Sequence, residues 1–343
     1  MTNKSEDNVN THEQNVDPLQ TLTFTELLDQ VYSPRRPVVD GLLYTGTYIF
    51  AGAPKVGKSF FMAQLAYHVA MGIPLWNYKV YPGTVLYLAL EDDHSRLQRR
   101  LSTMFGVDGC DKLFLSVQAD TLTGGLESQL KEFITLHPDT RLVIIDTLQK
   151  IREAESERFN YGRDYEIMAR LKQFSDSYNL CLLLVHHTRK MASEDSFDTI
   201  SGTNGLLGAA DGAFVLSKKA RVGAAAQLEI VGRDQNDQVL TLSFNRGCCL
   251  WELESEAVEL PKNLPDPLLE AVSEVLDGET QCWSGTPAQL SMMLPGIEIA
   301  PNVLTRRLNV SAERLYQEYG IRYVHTRTHE GRSIMLTLKD EQP

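Results

Sequence analysis

The octapeptide Gly52-Ala53-Pro54-Lys55-Val56-Gly57-Lys58-Ser59 fits G-x-x-x-x-G-K-[ST], a pattern suited to cradling phosphates. Its glycines let successive backbone N–H groups turn inward toward anionic oxygens, and a helix beginning at its end adds the positive pole of a dipole. In that geometry Lys58 reaches the β- and γ-phosphates of ATP and the Ser59 hydroxyl ligates Mg²⁺. The nucleotide-binding stretch runs from Gly52 to Phe60.

Three further positions could do chemistry with a nucleotide held there. Leu142-Val143-Ile144-Ile145-Asp146 is a continuous apolar run ending in an aspartate, the Walker B pattern, and Asp146 would hold the Mg²⁺ directly or through water. Glu91 follows another apolar run, Thr84 to Leu90, where a carboxylate can face the γ-phosphate and polarise the attacking water. Asp92 and Asp93 could take that role or cap the next helix, and strand alternation does not choose among the three. His187 closes a third run, Leu180 to Val185 followed by His186, so its imidazole could hydrogen-bond the γ-phosphate or the water. The adjacent histidines cannot chelate one ion, because neighbours on a strand point to opposite faces. Zinc is therefore not expected.

The elements that must carry these residues alternate. Tyr48–Ala51 reads as a strand and Phe60–Met71 as a helix. Strands at 84–90, 113–117, 142–146 and 180–185 are separated by helices at 95–105, 126–136 and 165–178, as in a parallel sheet. A short helix at 204–210 leads to strands at 213–216, 227–231, 239–244 and 249–253, whose hairpin spacing predicts an antiparallel extension. Residues 1–20 are polar and acidic and read as a disordered tail, with a short amphipathic helix over 23–31. A Glu/Pro-rich linker lies between the main domain and a C-terminal piece. That piece reads as helices at 268–276, 286–294 and 303–319 and a strand pair at 321–326 and 333–338, the order of a winged helix-turn-helix.

Of 343 residues, 43% are hydrophobic and 23% charged, with net charge −12. These values suit a soluble globular chain and argue against a surface coated in basic groups. No apolar run approaches the roughly 18 residues of a membrane helix, and the N-terminus lacks a signal-peptide pattern. The cysteines Cys110, Cys181, Cys248, Cys249 and Cys282 form no C-x-x-C spacing, which points to a reducing cytoplasm. Residues 300–339 carry seven basic side chains, among them Arg306, Arg307, Arg327 and Arg332, against three acidic ones. That stripe is able to contact phosphates of DNA.

The order P-loop, Leu90-Glu91-Asp92, Ile145-Asp146-Thr147, Val185-His186-His187-Thr188 resembles RecA-fold ATPases of the RepA type, hexameric replicative helicases of plasmids and mobile elements. The resemblance covers about Val38 to Leu253. It implies that Glu91 is the catalytic base and His187 the γ-phosphate sensor. It also implies a homo-oligomeric, hexameric ring whose sites are completed by an arginine of the adjacent subunit. Arg233, closing Glu229-Ile230-Val231-Gly232, looks like that arginine finger. Two departures stand out: Ser201-Gly202-Thr203 lacks the arginine many relatives place before the Gly-Ser, and Val231 occupies the lysine position of a Lys-x-Arg. The loops 152–163 and 188–201, the latter with Arg189 and Lys190, correspond to the DNA-facing loops of RecA folds. The stretch from Trp283 to Leu308 is similar to C-terminal domains of phage and integrative-element replication proteins.

The expectation is therefore an α/β protein: a RecA-like P-loop NTPase with a mostly parallel sheet and an antiparallel extension, plus a small winged-helix-like α+β domain. The expected boundaries are a tail at 1–20, an ATPase domain at 21–255, a linker at 256–266 and the small domain at 267–343. The expected function is Mg²⁺-dependent ATP hydrolysis driving a cytoplasmic DNA helicase on single-stranded or forked DNA. The alternative is a DNA-binding ATPase switch without unwinding activity.

Overall fold

The computed structural model describes residues 19, 21–32, 35–152, 161–188, 196–200, 204–218, 225–233, 235–258, 265–276, 280–328 and 331–338. Along the chain run α1 (Phe24–Leu28), β1 (Pro37–Val39), β2 (Leu43–Tyr44), β3 (Gly46–Gly52), α2 (Lys58–Met71), β4 (Thr84–Ala89), α3 (His94–Phe105), β5 (Leu113–Ser116), α4 (Leu126–Leu136) and β6 (Thr140–Asp146). A 3-10 turn (Leu148–Ile151) precedes α5 (Tyr161–Tyr178), β7 (Cys181–His187), α6 (Asn204–Ala209), β8 (Gly212–Lys218), β9 (Ala226–Gly232), β10 (Gln238–Asn245) and β11 (Leu250–Val258). Last come α7 (Pro267–Ser273), β12 (Cys282–Gly285), α8 (Pro287–Met293), α9 (Pro301–Tyr319), β13 (Ile321–Thr328) and β14 (Gly331–Leu338).

Two compact units form, residues 35–262 and residues 1–34 with 263–343. The larger holds a sheet of order β11-β10-β9-β8-β3-β7-β6-β4-β5. From β8 to β5 neighbouring strands are parallel, and β9, β10 and β11 extend the sheet antiparallel. Helices cover both faces, which is why these strands are apolar without a polar face. Alternate residues feed two separate cores: Tyr48, Phe50, Val85, Tyr87, Leu142, Ile144, Leu183 and Val185 enter one together with α2. Ile49, Ala51, Leu86, Leu88, Val143, Ile145, Leu182 and Leu184 enter the other, with α4, α5 and α6. This period of two decides which face each strand-end side chain inherits.

The smaller unit closes its own core from Leu269, Leu290, Leu304, Leu308, Leu315, Ile321 and Leu336. Its sheet has three strands, β12-β14-β13, where the sequence reading expected two. The four-residue β12 carries Trp283 between polar and glycine neighbours, too short for a periodic signal. It is recruited by pairing with β14.

One boundary differs from expectation. Residues 21–34, assigned from the sequence to the ATPase domain, group with the C-terminal residues. The helix α1 starts with a capping box between Thr23 and Glu26 and buries no side chain. Polar contacts hold it: the Leu28 carbonyl accepts from Asn309 Nδ2 at 2.9 Å, and Asp29 pairs with Arg306 at 2.9 Å and Arg332 at 3.0 Å. Pairings nearly three hundred residues apart leave no periodic trace. No helix among the described residues is long and apolar enough to cross a membrane.

Candidate functional site

The candidate site lies at the C-terminal edge of β3, β4, β6 and β7, where open α/β sheets bind ligands. The register aligns the strand ends: Gly52 of β3 opposes His187 of β7, and Ala89 of β4 opposes Asp146 of β6. The loop from Ala53 to Gly57 then turns into α2. Gly57 takes φ +112°, an excursion that glycine adopts without strain, and Lys55 takes φ +65°, uncommon for a residue with a side chain.

The loop is folded around its own lysine. Lys58 Nζ donates to the Gly52 carbonyl at 2.7 Å and the Ala53 carbonyl at 3.2 Å, and lies 3.2 Å from His187 Nδ1. Burial lowers the Lys58 pKa, with Asp146 and Glu91 pulling the other way. An ammonium only donates, so Nδ1 of His187 is the acceptor and its proton sits on Nε2. The imidazole is held neutral: burial and then the Lys58 charge lower its pKa. Its Nε2 faces Glu91 Oε1 at 4.0 Å.

Asp146 is 5% exposed and projects to the α2 side of the sheet. Its Oδ2 accepts from the Ser59 hydroxyl at 2.8 Å and from the Tyr87 phenol at 3.0 Å. Burial raises its pKa, against the lowering effect of those two hydrogen bonds. Ser59 and Asp146 supply hard oxygen ligands side by side, and their donor set fits Mg²⁺, which takes one or two protein oxygens and keeps several waters. Among the described residues no group of three or more His, Cys, Asp and Glu side chains could hold a metal by itself.

Contacts separate the three acidic neighbours that alternation left equivalent. Asp92 is bound to Arg100 at 2.6 Å, and Asp93 caps α3 by accepting from the Arg96 amide at 2.8 Å. Glu91 stays half exposed over the site, with one hydrogen bond from Thr147 Oγ1 at 3.3 Å. His186, by parity, enters the opposite face and is buried, while His187 faces the P-loop.

The other candidates fall elsewhere. Arg233 follows β9, which runs antiparallel to β8; Gly232 opposes Gly212, and Gly212 opposes Tyr48 at the start of β3. Arg233 therefore sits at the edge opposite the P-loop, where its guanidinium donates to the Gly208 carbonyl at 2.7 Å. Arg189 and Lys190 lie outside the described residues. At the start of the other loop, Arg152 is withdrawn into a nearly buried ion pair with Asp164 at 2.9 Å. In the smaller unit Arg306 and Arg332 share Asp29, and Arg307 pairs with Asp266 at 2.9 Å. Arg327 lies on β13 opposite Arg332. Arg314 pairs with Glu318 at 2.7 Å, so four of the six arginines of the expected stripe have carboxylate partners.

Tyr87 and Trp251 were missed from the sequence. Tyr87 is one apolar residue among many in β4, and only its register against β6 brings the phenol to Asp146. Trp251, on β11, donates its indole N–H to the Gly57 carbonyl at 3.2 Å.

The geometry agrees with known folds. A solved ATPase domain superposes with a TM-score of 0.51 at 14% identity, covering 61% of this chain and 84% of that one. A DnaB-like replicative helicase, solved with its interactions with primase, gives 0.50 at 14% identity, covering 61% of this chain and 57% of that one. No curated protein matches the chain. These likenesses establish a RecA-like P-loop ATPase fold. A family model described as an AAA domain matches residues 14–193, just over half of the chain, and the protein belongs to that AAA-domain family.

Proposed function

We propose that this protein is a Mg²⁺-dependent ATPase acting on DNA, a ring-forming replicative helicase of RepA type from a plasmid or mobile element. The supporting observation is the convergence of Lys58, Ser59, Glu91, Asp146 and His187 on one face at one sheet edge. Gly52 to Phe60 wrap the phosphates, and Lys58 exchanges two loop carbonyls for phosphate oxygens. Ser59 and Asp146 hold Mg²⁺, which supplies charge neutralisation on the transferring phosphoryl group. Glu91, the half-exposed carboxylate, accepts the proton of the attacking water. His187, neutral and bonded to Lys58, reads the γ-phosphate and passes its presence to the segment after β7.

Arg233 cannot serve its own site from the opposite sheet edge, so a catalytic role for it requires a neighbouring subunit. The C-terminal residues of the smaller unit have the element order helix, strand, helix, helix, strand, strand. We assign this part as a winged helix, with α9 and the β13–β14 strand pair as its DNA-facing parts.

Strand displacement on a forked duplex tests the reading. Unwinding that requires ATP and is lost in Lys58→Ala is the expected result; DNA-stimulated ATP turnover without unwinding would establish the assembly-switch alternative. Size measured with and without ATP and single-stranded DNA should give a ring, and a strict monomer under every condition removes the helicase reading. Mixing Arg233→Ala with Lys58→Ala subunits should restore partial activity. No recovery at any ratio removes Arg233 as the finger.

A further inference from the structure

A tryptophan of the antiparallel extension of the sheet hydrogen-bonds the phosphate loop. Trp251 is 1% exposed. Its backbone N–H donates to Gln64 Oε1 at 2.8 Å, and its carbonyl accepts from Gln64 Nε2 at 2.9 Å and from the Trp76 indole at 2.7 Å. Gln64 belongs to α2, the helix that begins at Lys58. Both ends of the contact are thereby tied to one helix. The indole of Trp251 then reaches Gly57 from outside the loop. A Cβ built on Gly57 would stand 2.7 Å from Trp251 Cζ2, so ring and loop are in full contact.

The Gly57 carbonyl receives two donors, the indole and the Phe61 amide at 3.2 Å. Gly57 caps α2 without any side-chain cap of its own. A trans peptide is planar, with its C=O and N–H pointing in opposite directions. Holding the Gly57 oxygen toward Trp251 therefore aims the Lys58 N–H the other way, into the phosphate cradle. A cation also stands over the ring: Lys218 Nζ, at the end of β8, is 4.7 Å from the Trp251 ring and 5.6 Å from that of Phe244. Arg246, in the β10–β11 turn at this same sheet edge, is close enough to help depress the Lys218 pKa after burial. Neither cation has a carboxylate partner among the described residues.

We propose that Trp251 is a positioning residue of the nucleotide site: it sets the Gly57–Lys58 peptide plane and couples the phosphate loop to the antiparallel end of the sheet. The proposal rests on the ATPase reading above.

The test uses the full chain. Trp251→Phe keeps an apolar ring but removes the indole donor, so its KM for ATP should rise roughly five- to ten-fold, the worth of one hydrogen bond, with kcat changed less than two-fold. In parallel, the wild-type chain labelled with 5-fluorotryptophan gives one ¹⁹F resonance per tryptophan, and Trp251→Phe identifies its own by deletion. Adding Mg²⁺ and ADP should shift that resonance, and Lys58→Ala should abolish the shift. A variant that melts lower with unchanged KM, together with a Trp251 resonance indifferent to bound ADP, reduces Trp251 to packing and overturns the proposal. Equilibrium dialysis of ATP against the wild type separates the two levels. Binding without dependence on Trp251 sinks only this inference, and no binding at all sinks the ATPase reading and this inference with it.

Discussion

Asp146 should cost the empty protein stability, and Asp146→Asn should recover it while destroying activity. The carboxylate is buried against two hydroxyl donors, and burial outweighs them, so its pKa lies above the ordinary value. A carboxylate with a raised folded pKa favours folding only where it is protonated, below about pH 3.9, and that contribution is lost as the pH rises through the folded value. At neutral pH the group is therefore a net cost. Removing a buried, partly compensated charge is worth on the order of 1 kcal/mol. Asparagine keeps an oxygen for the Ser59 and Tyr87 hydroxyls, so little is lost in exchange. For a unit of this size the melting temperature should rise by about 2–4 °C at pH 7.5, and the difference should vanish near pH 3. Asp146→Ala should go the other way by about 1–3 kcal/mol, because it strands the buried Tyr87 hydroxyl. Calorimetry of the nucleotide-free chain, with and without Mg²⁺, reads both effects. An asparagine variant that melts lower than the wild type at neutral pH and equally at acid pH would refute the argument, showing that Lys58 more than offsets the burial.

Three other expectations follow from the same contacts. Tyr87→Phe should lose about 1 kcal/mol of stability and raise the Mg²⁺ concentration for half-maximal turnover by roughly ten-fold, since it frees the carboxylate proposed to hold Mg²⁺ to rotate; an unchanged Mg²⁺ requirement contradicts this. An NMR titration of His187 should find its midpoint below the ordinary imidazole value of about 6.5, so the neutral form persists as the pH falls. Lys58→Ala should move that midpoint up and Glu91→Gln should move it down, because the ammonium lowers it and the carboxylate raises it; movement in the same direction for both would be inconsistent. Asp29→Ala releases Arg306 and Arg332, so the full chain should bind duplex DNA more tightly at low salt, with log K against log[salt] steeper by up to about 2. Identical affinity and slope would show that these arginines serve folding alone.

The P-loop from Gly52 to Ser59 and the aspartate of β6 were legible because their information is local: a glycine spacing, an apolar run, a terminal carboxylate. The apolar runs of β3, β4, β6 and β7 likewise announce strands buried on both faces, and a period of two assigns His186 and His187 to opposite sides of one of them. What no spacing encodes is which strand lies beside which, and at what register. Alternation left Glu91, Asp92 and Asp93 equivalent and the resemblance alone favoured Glu91; that Arg100 and the α3 N-terminus hold the other two is visible only in the fold. Tyr87 reaches Asp146 only because β4 and β6 align as they do. Arg233 lies at the far sheet edge because β9 runs antiparallel to β8, as the hairpin spacing predicts; what the sequence left open was that β8 pairs with β3. The arginines of the C-terminal unit look free in the sequence, but Asp29 and Asp266 hold three of them. Such pairings join residues tens to hundreds of positions apart, and their energies come from burial, register and desolvation, which exist only once the chain has packed.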